Sequence, residues 1–304
     1  RQSYEEASVI ANNIVAVHPD KANGYIQSVP SMLANNEIDQ AIDLLETGYT
    51  KTGNQRILAI MSELQIRTGK QNQAISQLEA IEGKNESVSL LLAKAHVANK
   101  DIDAAKQVLN ESIKADSSRE QSYLALSNIL AGTGDINGAI DLLSQSVIQN
   151  PENLKLSMSL AGLYERNKRF EDAINQYKTI LTKKPDNLLA NNNLAALLAD
   201  YKTDEESLSM AKNIADKLKN IKQPVIQDTV GWVYYKTGNY SEAVSVLEQA
   251  VTAAPEVNVF NYHLGMAYHK LGDNEKARNH LKISLAGEKD FTGKDEAQKT
   301  LDKL

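Results

Sequence analysis

The sequence predicts an all-α solenoid of antiparallel helix pairs, and three observations predict it. A small residue followed by aliphatic ones returns at Ala7, Ala41, Ala74, Ala105, Ala139, Ala173, Ser207, Ala243 and Ala277. The steps are 34, 33, 31, 34, 34, 34, 36 and 34 residues. Within each period the apolar residues fall at helical spacing. Aromatics make up only 5% of the 304 residues, with three phenylalanines and one tryptophan, so the core must come from alanine and aliphatic side chains. That disfavours a sandwich or barrel, whose strands draw on aromatic and β-branched residues.

Units begin near Ala22, Gln55, Glu86, Glu120, Leu154, Leu188, Pro224 and Asn258. Residues 1–21 read as the second helix of a truncated unit. Residues 22–187 hold five units, 188–291 hold three with the best-formed motif, and 292–304 read as a capping helix. The chain begins at Arg1 without a charged-then-apolar leader, so it reads either as a processed product or, the preferred reading, as a piece of something longer whose first helix is missing. Val9, Ile10, Ile14 and Val17 would then lack their partner helix, an opening for self-association.

The best unit shows how one pair is held. Its first helix, PVIQDTVGWVYYKTG, places Val230, Gly231 and Tyr234 on one face, and its second, NYSEAVSVLEQAV, places Tyr240, Ala243, Leu247 and Ala250 likewise. Glycine costs about 1 kcal/mol in a helix, so its presence here implies a close helix contact that outweighs propensity. Equivalent positions are Ala93, Ser127, Ala161, Ala195 and Gly265, all small. Gly69, Gly134, Gly238 and Gly272 fall between the helices of a pair, where a left-handed residue ends a helix cheaply. Pro19, Pro151, Pro185 and Pro255 follow second helices and block their continuation. Two regions depart from the pattern. Ser28, Val29 and Gln65 loosen it in the first two full units, and KNIKQP at 219–224 predicts a longer link between units.

These motifs resemble the tetratricopeptide repeat (TPR) family over essentially the whole chain. Val230, Gly231, Tyr234, Ala243, Leu247 and Pro255 match its pattern, as do Leu264, Gly265, Tyr268, Ala277 and Leu281. The resemblance implies a right-handed superhelix whose inner groove, lined by first helices, holds peptide segments of partner proteins. Carried over residue by residue, it directs Asn192 and Asn193 to the groove, then Asp228, Trp232, Tyr235 and Lys236, then Tyr262, His263, Met266, His269 and Lys270.

An exposed Trp232 beside Asp228 and Lys236 has the composition of a binding hot spot. The competing reading packs Trp232 against the neighbouring unit. Asn192 and Asn193 resemble asparagines that grip a peptide backbone in some TPR arrays, against a reading as solvated polar residues. Lys94 and Asn128 do not complete the lysine and asparagine clamp of cytosolic TPR co-chaperones.

Residues 188–304 resemble something narrower. NNNLAALLADYKTDEESLSMAKNIADKL, DTVGWVYYKTGNYSEAVSVLEQAV, HLGMAYHKLGDNEKARNHLKISL and DFTGKDEAQKTLDKL are similar to the end of TPR lipoproteins of bacterial PEP-CTERM and exopolysaccharide systems. That resemblance implies a periplasmic or outer-membrane-anchored scaffold with a lipid anchor upstream of Arg1; the alternative location is cytoplasmic.

Composition bears on the remaining function classes. Net charge is −6, with 19 Lys+Arg against 23 Asp+Glu in residues 1–187 and 14 against 16 in 188–304. No basic stripe is available to neutralise phosphates, so nucleic acid is not an expected partner. The longest apolar runs are far shorter than the roughly 20 residues that cross a bilayer. There is no cysteine, no histidine pair at one-turn spacing, no nucleophile elbow and no phosphate loop, so neither catalysis, a metal nor a cofactor is expected. The expected function is a non-enzymatic scaffold for partner proteins. The alternative is a substrate-selecting repeat region of a larger enzyme such as a glycosyltransferase.

Overall fold

The computed structural model describes residues 13–287 and 290–304. Every regular element among them is helical. Ala7, Val9 and Ile10 lie outside the described residues.

A helical stretch at 13–17 (α1) precedes α2 (Ala22–Ala34), α3 (Ile38–Thr52), α4 (Gln55–Arg67), α5 (Gln71–Glu79), α6 (Glu86–Ala98) and α7 (Ile102–Ala115). There follow α8 (Glu120–Gly132), α9 (Ile136–Gln149), α10 (Leu154–Arg166), α11 (Phe170–Lys183), α12 (Leu188–Tyr201) and α13 (Glu205–Leu218). The last are α14 (Pro224–Lys236), α15 (Tyr240–Ala253), α16 (Asn258–Leu271), α17 (Asn274–Ala286) and α18 (Lys294–Leu301). Even-numbered helices from α2 to α16 are the first members of the pairs. Two compact units divide the chain, Arg1–Leu156 and Ser157–Leu304.

Local chemistry explains the helix starts. Asn54, Asn85, Asp101, Asp135, Asn187, Asp204 and Asp273 sit at N-caps, each accepting a backbone N–H of the first turn. Pro224 opens α14, where its missing N–H is not needed. Gly69, Gly134, Gly238 and Gly272 all have positive φ. Asn36, Lys100 and Lys168 take the same left-handed conformation in the turns that lack glycine.

The small-residue rule has a steric basis. A Cβ built on Gly231 would come within 2.4 Å of Leu247 Cγ, and one on Gly265 within 2.8 Å of Leu281 Cγ. Second helices repeat a buried triplet at i, i+4 and i+7: Ala41, Leu45, Gly48; Ala105, Leu109, Ser112; Ala243, Leu247, Ala250.

That triplet corrects one expectation. In α13 the buried residues are Ala211, Ile214, Ala215 and Leu218, and the i, i+4, i+7 triplet is Ala211, Ala215 and Leu218, so Ala211 and not Ser207 is the contact residue. The extra spacing therefore lies ahead of Ala211, mainly in the first turn of α13, which starts six residues before Ala211 where α15 starts three before Ala243; the turn ahead of each helix is three residues long. The turn from α12 to α13 has no left-handed residue, and its Lys202 is extended (φ −119°, ψ 144°). The link at 219–223 is only one residue longer than the four between α11 and α12.

The early departures are also accommodated. Ser28 satisfies its buried hydroxyl on the Gly24 carbonyl at 3.0 Å. Gln65 is buried and donates to Gln77 Oε1 at 3.0 Å, tying α4 to α5. Val29 joins the core cluster with Tyr25, Leu45 and Leu58. Of the front residues expected to lack a partner, Val17 is exposed, while Ile14, with the neighbouring Val15, closes over Gly24.

Candidate functional site

The predicted site residues lie on α12, α14 and α16, successive first helices of the Ser157–Leu304 unit. They stand side by side because each pair stacks its first helix on the next one. Contacts across that face therefore recur at about one repeat in sequence.

Trp232 is the centre, and it is not exposed. Only 6% of it is accessible, which overturns the reading of an exposed aromatic and matches the competing one, packing against the neighbouring unit. Its ring stacks on Tyr235 at 4.6 Å and on His263 of α16 at 4.0 Å. The indole Nε1–H donates to Asp200 Oδ1 of α12 at 2.6 Å. Lys236 is exposed and holds its ammonium 5.5 Å from the Trp232 ring centroid.

Around this stack, buried polar groups find partners on adjacent helices. Asp228 and His263 are both buried, and their Oδ1 and Nδ1 atoms lie 2.8 Å apart. Tyr262 packs 5.5 Å from both Trp232 and Phe291 and donates to Glu296 of α18 at 2.7 Å. Burial, then the Glu296 hydrogen bond, raises its phenol pKa far above the ordinary 10. Burial and then the Glu296 charge push Tyr235 up to about 12. Both phenols stay protonated at neutral pH. Gly293 has φ +99°, and a Cβ there would lie 2.4 Å from the Tyr262 ring, so the last helix docks only because this residue has no side chain.

The asparagines are neither solvated nor free. Asn192 is buried and donates to Asn193 Oδ1 at 3.3 Å, Asn193 donates to the Tyr177 hydroxyl at 2.9 Å, and Tyr177 donates to Glu165 at 2.5 Å. This chain runs from α12 through α11 to α10. Asn192 Oδ1 remains buried without a hydrogen-bond partner among the described residues. Met266 is buried, His269 is half-buried, and Lys270 is exposed.

Sequence reasoning missed Asp200, Phe291 and Glu296. Two carried a usable signal: Asp200 precedes Trp232 by 32 residues and Glu296 follows Tyr262 by 34, each about one repeat away. What the face offers to solvent is the Asp200 carboxylate bonded to the Trp232 indole, the Lys236 ammonium over the Trp232 ring, and Lys270 exposed on α16. Among the described residues no group of three metal-ligating side chains occurs, and no helix is long and apolar enough to cross a membrane.

Comparison with known proteins agrees with this architecture. Tetratricopeptide-repeat family profiles match residues 90–153, 130–214 and 231–287, together more than half of the chain. No curated protein matches. Among solved structures, a tetratricopeptide repeat protein from Parabacteroides merdae is similar at 16% identity with a TM-score of 0.56, covering 72% of this chain and 88% of its own. A chain of the APC/C hetero-tetramer Cut9–Hcn1 is similar at 13% identity with a TM-score of 0.54. That match covers 96% of this chain and 58% of the other, so this chain spans little more than half its length. At such identities the likeness concerns the fold.

Proposed function

We propose that this chain, which carries tetratricopeptide repeats, is a non-enzymatic scaffold that binds partner polypeptides on the first-helix face of α12, α14 and α16. The observation that carries the reading is the arrangement at Trp232. A buried, cross-helix aromatic stack carries exposed Asp200 and Lys236 at Trp232, and Lys270 is exposed on the next first helix. A rigid floor of this kind lowers the ordering cost of binding, and the charges set register for an extended segment.

The partner system is proposed on the sequence resemblance of residues 188–304. The scaffold serves exopolysaccharide assembly or surface-protein export in a bacterial envelope, from a periplasmic or lipid-anchored position. A complete reading frame with a lipobox upstream of Arg1 and further repeats supports it; an appended catalytic domain favours the substrate-selecting alternative.

The binding face is tested with charge variants, because Trp232 and Tyr235 are part of the core. Residues 1–304 serve as bait in envelope extracts. Lys236→Glu combined with Lys270→Glu should lower recovery of captured proteins while circular dichroism matches wild type. Undiminished capture by the double variant would remove this face from the function.

A further inference from the structure

The second helix α5 is shorter than its neighbours. It has nine residues, against fifteen in α3 and fourteen in α7. The 31-residue step from Ala74 to Ala105 is the sequence trace of that shortfall. Where further turns of α5 would have packed, a cavity of about 410 Å³ opens between α5 and α7 over α6. This falls in the range of roughly 300 to 1,000 Å³ typical of small-ligand sites.

The lining is chemically specific. Leu92 of α6 and Ala104 and Val108 of α7 supply apolar surface. Around them stand two carboxylates, Glu79 and Glu111, and two cations, Lys84 and Arg119. Arg119 is held in place, donating to Ser112 Oγ at 3.0 Å and to the Lys84 carbonyl at 3.3 Å. Lys84 in turn donates to the Glu79 carbonyl at 3.0 Å, closing the end of α5. His96 also lines the cavity and is only 7% exposed. Its Nδ1 is buried with no hydrogen-bond partner among the described residues, and its Nε2 lies 3.8 Å from the Glu79 carboxylate. The ring edge carrying Nε2 therefore stands beside Glu79, one of the lining carboxylates.

We propose that this cavity binds a small zwitterion, an amino acid or dipeptide with free termini. Its ammonium faces Glu79 and Glu111, its carboxylate faces Arg119 and Lys84, and its side chains lie on Leu92 and Val108. His96 Nε2 lies beside Glu79 at the ammonium end. A simple anion would meet the two glutamates and a simple cation the lysine and arginine. A ligand carrying both charges meets each sign with its opposite, even though Arg119 already has Asp116 at 3.9 Å and Glu111 accepts from Gln107 at 2.9 Å.

The test is calorimetric titration of the full chain with L-alanyl-L-leucine, beside the same dipeptide acetylated and amidated at its ends. Saturable binding of the free dipeptide is expected, with the blocked form at least about tenfold weaker. Glu79→Gln, at a largely exposed side chain, should weaken it about tenfold, and so should Arg119→Gln. Ala115→Trp, at an exposed lining position, should abolish binding by filling the space. No saturable heat up to about 10 mM dipeptide, equal affinity for the blocked form, or wild-type binding by Ala115→Trp would each overturn the proposal. The Lys236→Glu and Lys270→Glu variant should bind the dipeptide as wild type does, so this site and the protein-binding face are tested separately.

Discussion

The indole N–H of Trp232 on α14 donates to the carboxylate of Asp200 on α12 at 2.6 Å, joining two first helices one repeat apart. The same ring stacks on His263 of α16, so one side chain ties three successive units together. In a linear array stability is the sum of such neighbour terms, and local changes here should have measurable effects.

Asp200→Ala leaves a nearly buried indole donor without its partner. Stability should fall by about 1 to 2 kcal/mol, the cost of an unmade hydrogen bond to a charged group. Trp232 is the single tryptophan, so urea unfolding followed by its fluorescence reads the effect directly. An unchanged midpoint would show that the bond contributes nothing net.

Two helical glycines should respond oppositely to alanine. At Gly162 of α10 an added Cβ meets nothing within 4 Å, so Gly162→Ala should gain about 0.5 to 1 kcal/mol from helix propensity. At Gly231 the Cβ would press on Leu247 Cγ at 2.4 Å, and overpacking of about 1 to 3 kcal/mol should exceed that gain. Thermal melts of the two variants should move in opposite directions.

Lys168 holds φ +58° in the turn between α10 and α11, where Gly134, Gly238 and Gly272 stand in other units. A left-handed residue with a Cβ costs about 1 to 2 kcal/mol, partly offset by the greater freedom of an unfolded glycine. Lys168→Gly should therefore stabilise by up to about 1 kcal/mol. A lower melting temperature would contradict this.

His280 on α17 is bonded through Nδ1 to Asn261 Oδ1 at 2.9 Å. Burial holds its pKa below the ordinary 6.5, with the Glu248 charge opposing and Lys276 reinforcing the shift. A depressed histidine pKa means that the unfolded chain takes up the proton first. Stability should fall as pH drops through 6.5 and level off once the folded-state pKa is passed. Comparing wild type with His280→Gln by urea unfolding between about pH 7.5 and pH 5 isolates this contribution. Identical pH profiles would remove it.

The one-dimensional signal was strong wherever chemistry is local. The repeat period, the helix starts at Ala22, Gln55, Pro224 and Asn258, the left-handed turn glycines and the small residue at Gly231 follow from spacing, capping and propensity within a single pair. Tertiary structure decided what depends on the neighbouring pair. Trp232 is off its own unit's packing face, so only the arrival of His263 and Asp200 from either side determines that it is buried. Ser207 and Ala211 are both small and one turn apart, and only the depth of α13 against α12 selects Ala211. A 31-residue step is compatible with a shortened turn or a shortened helix. The packing of α5 against α6 shows that the helix is short, and that places a cavity beside His96.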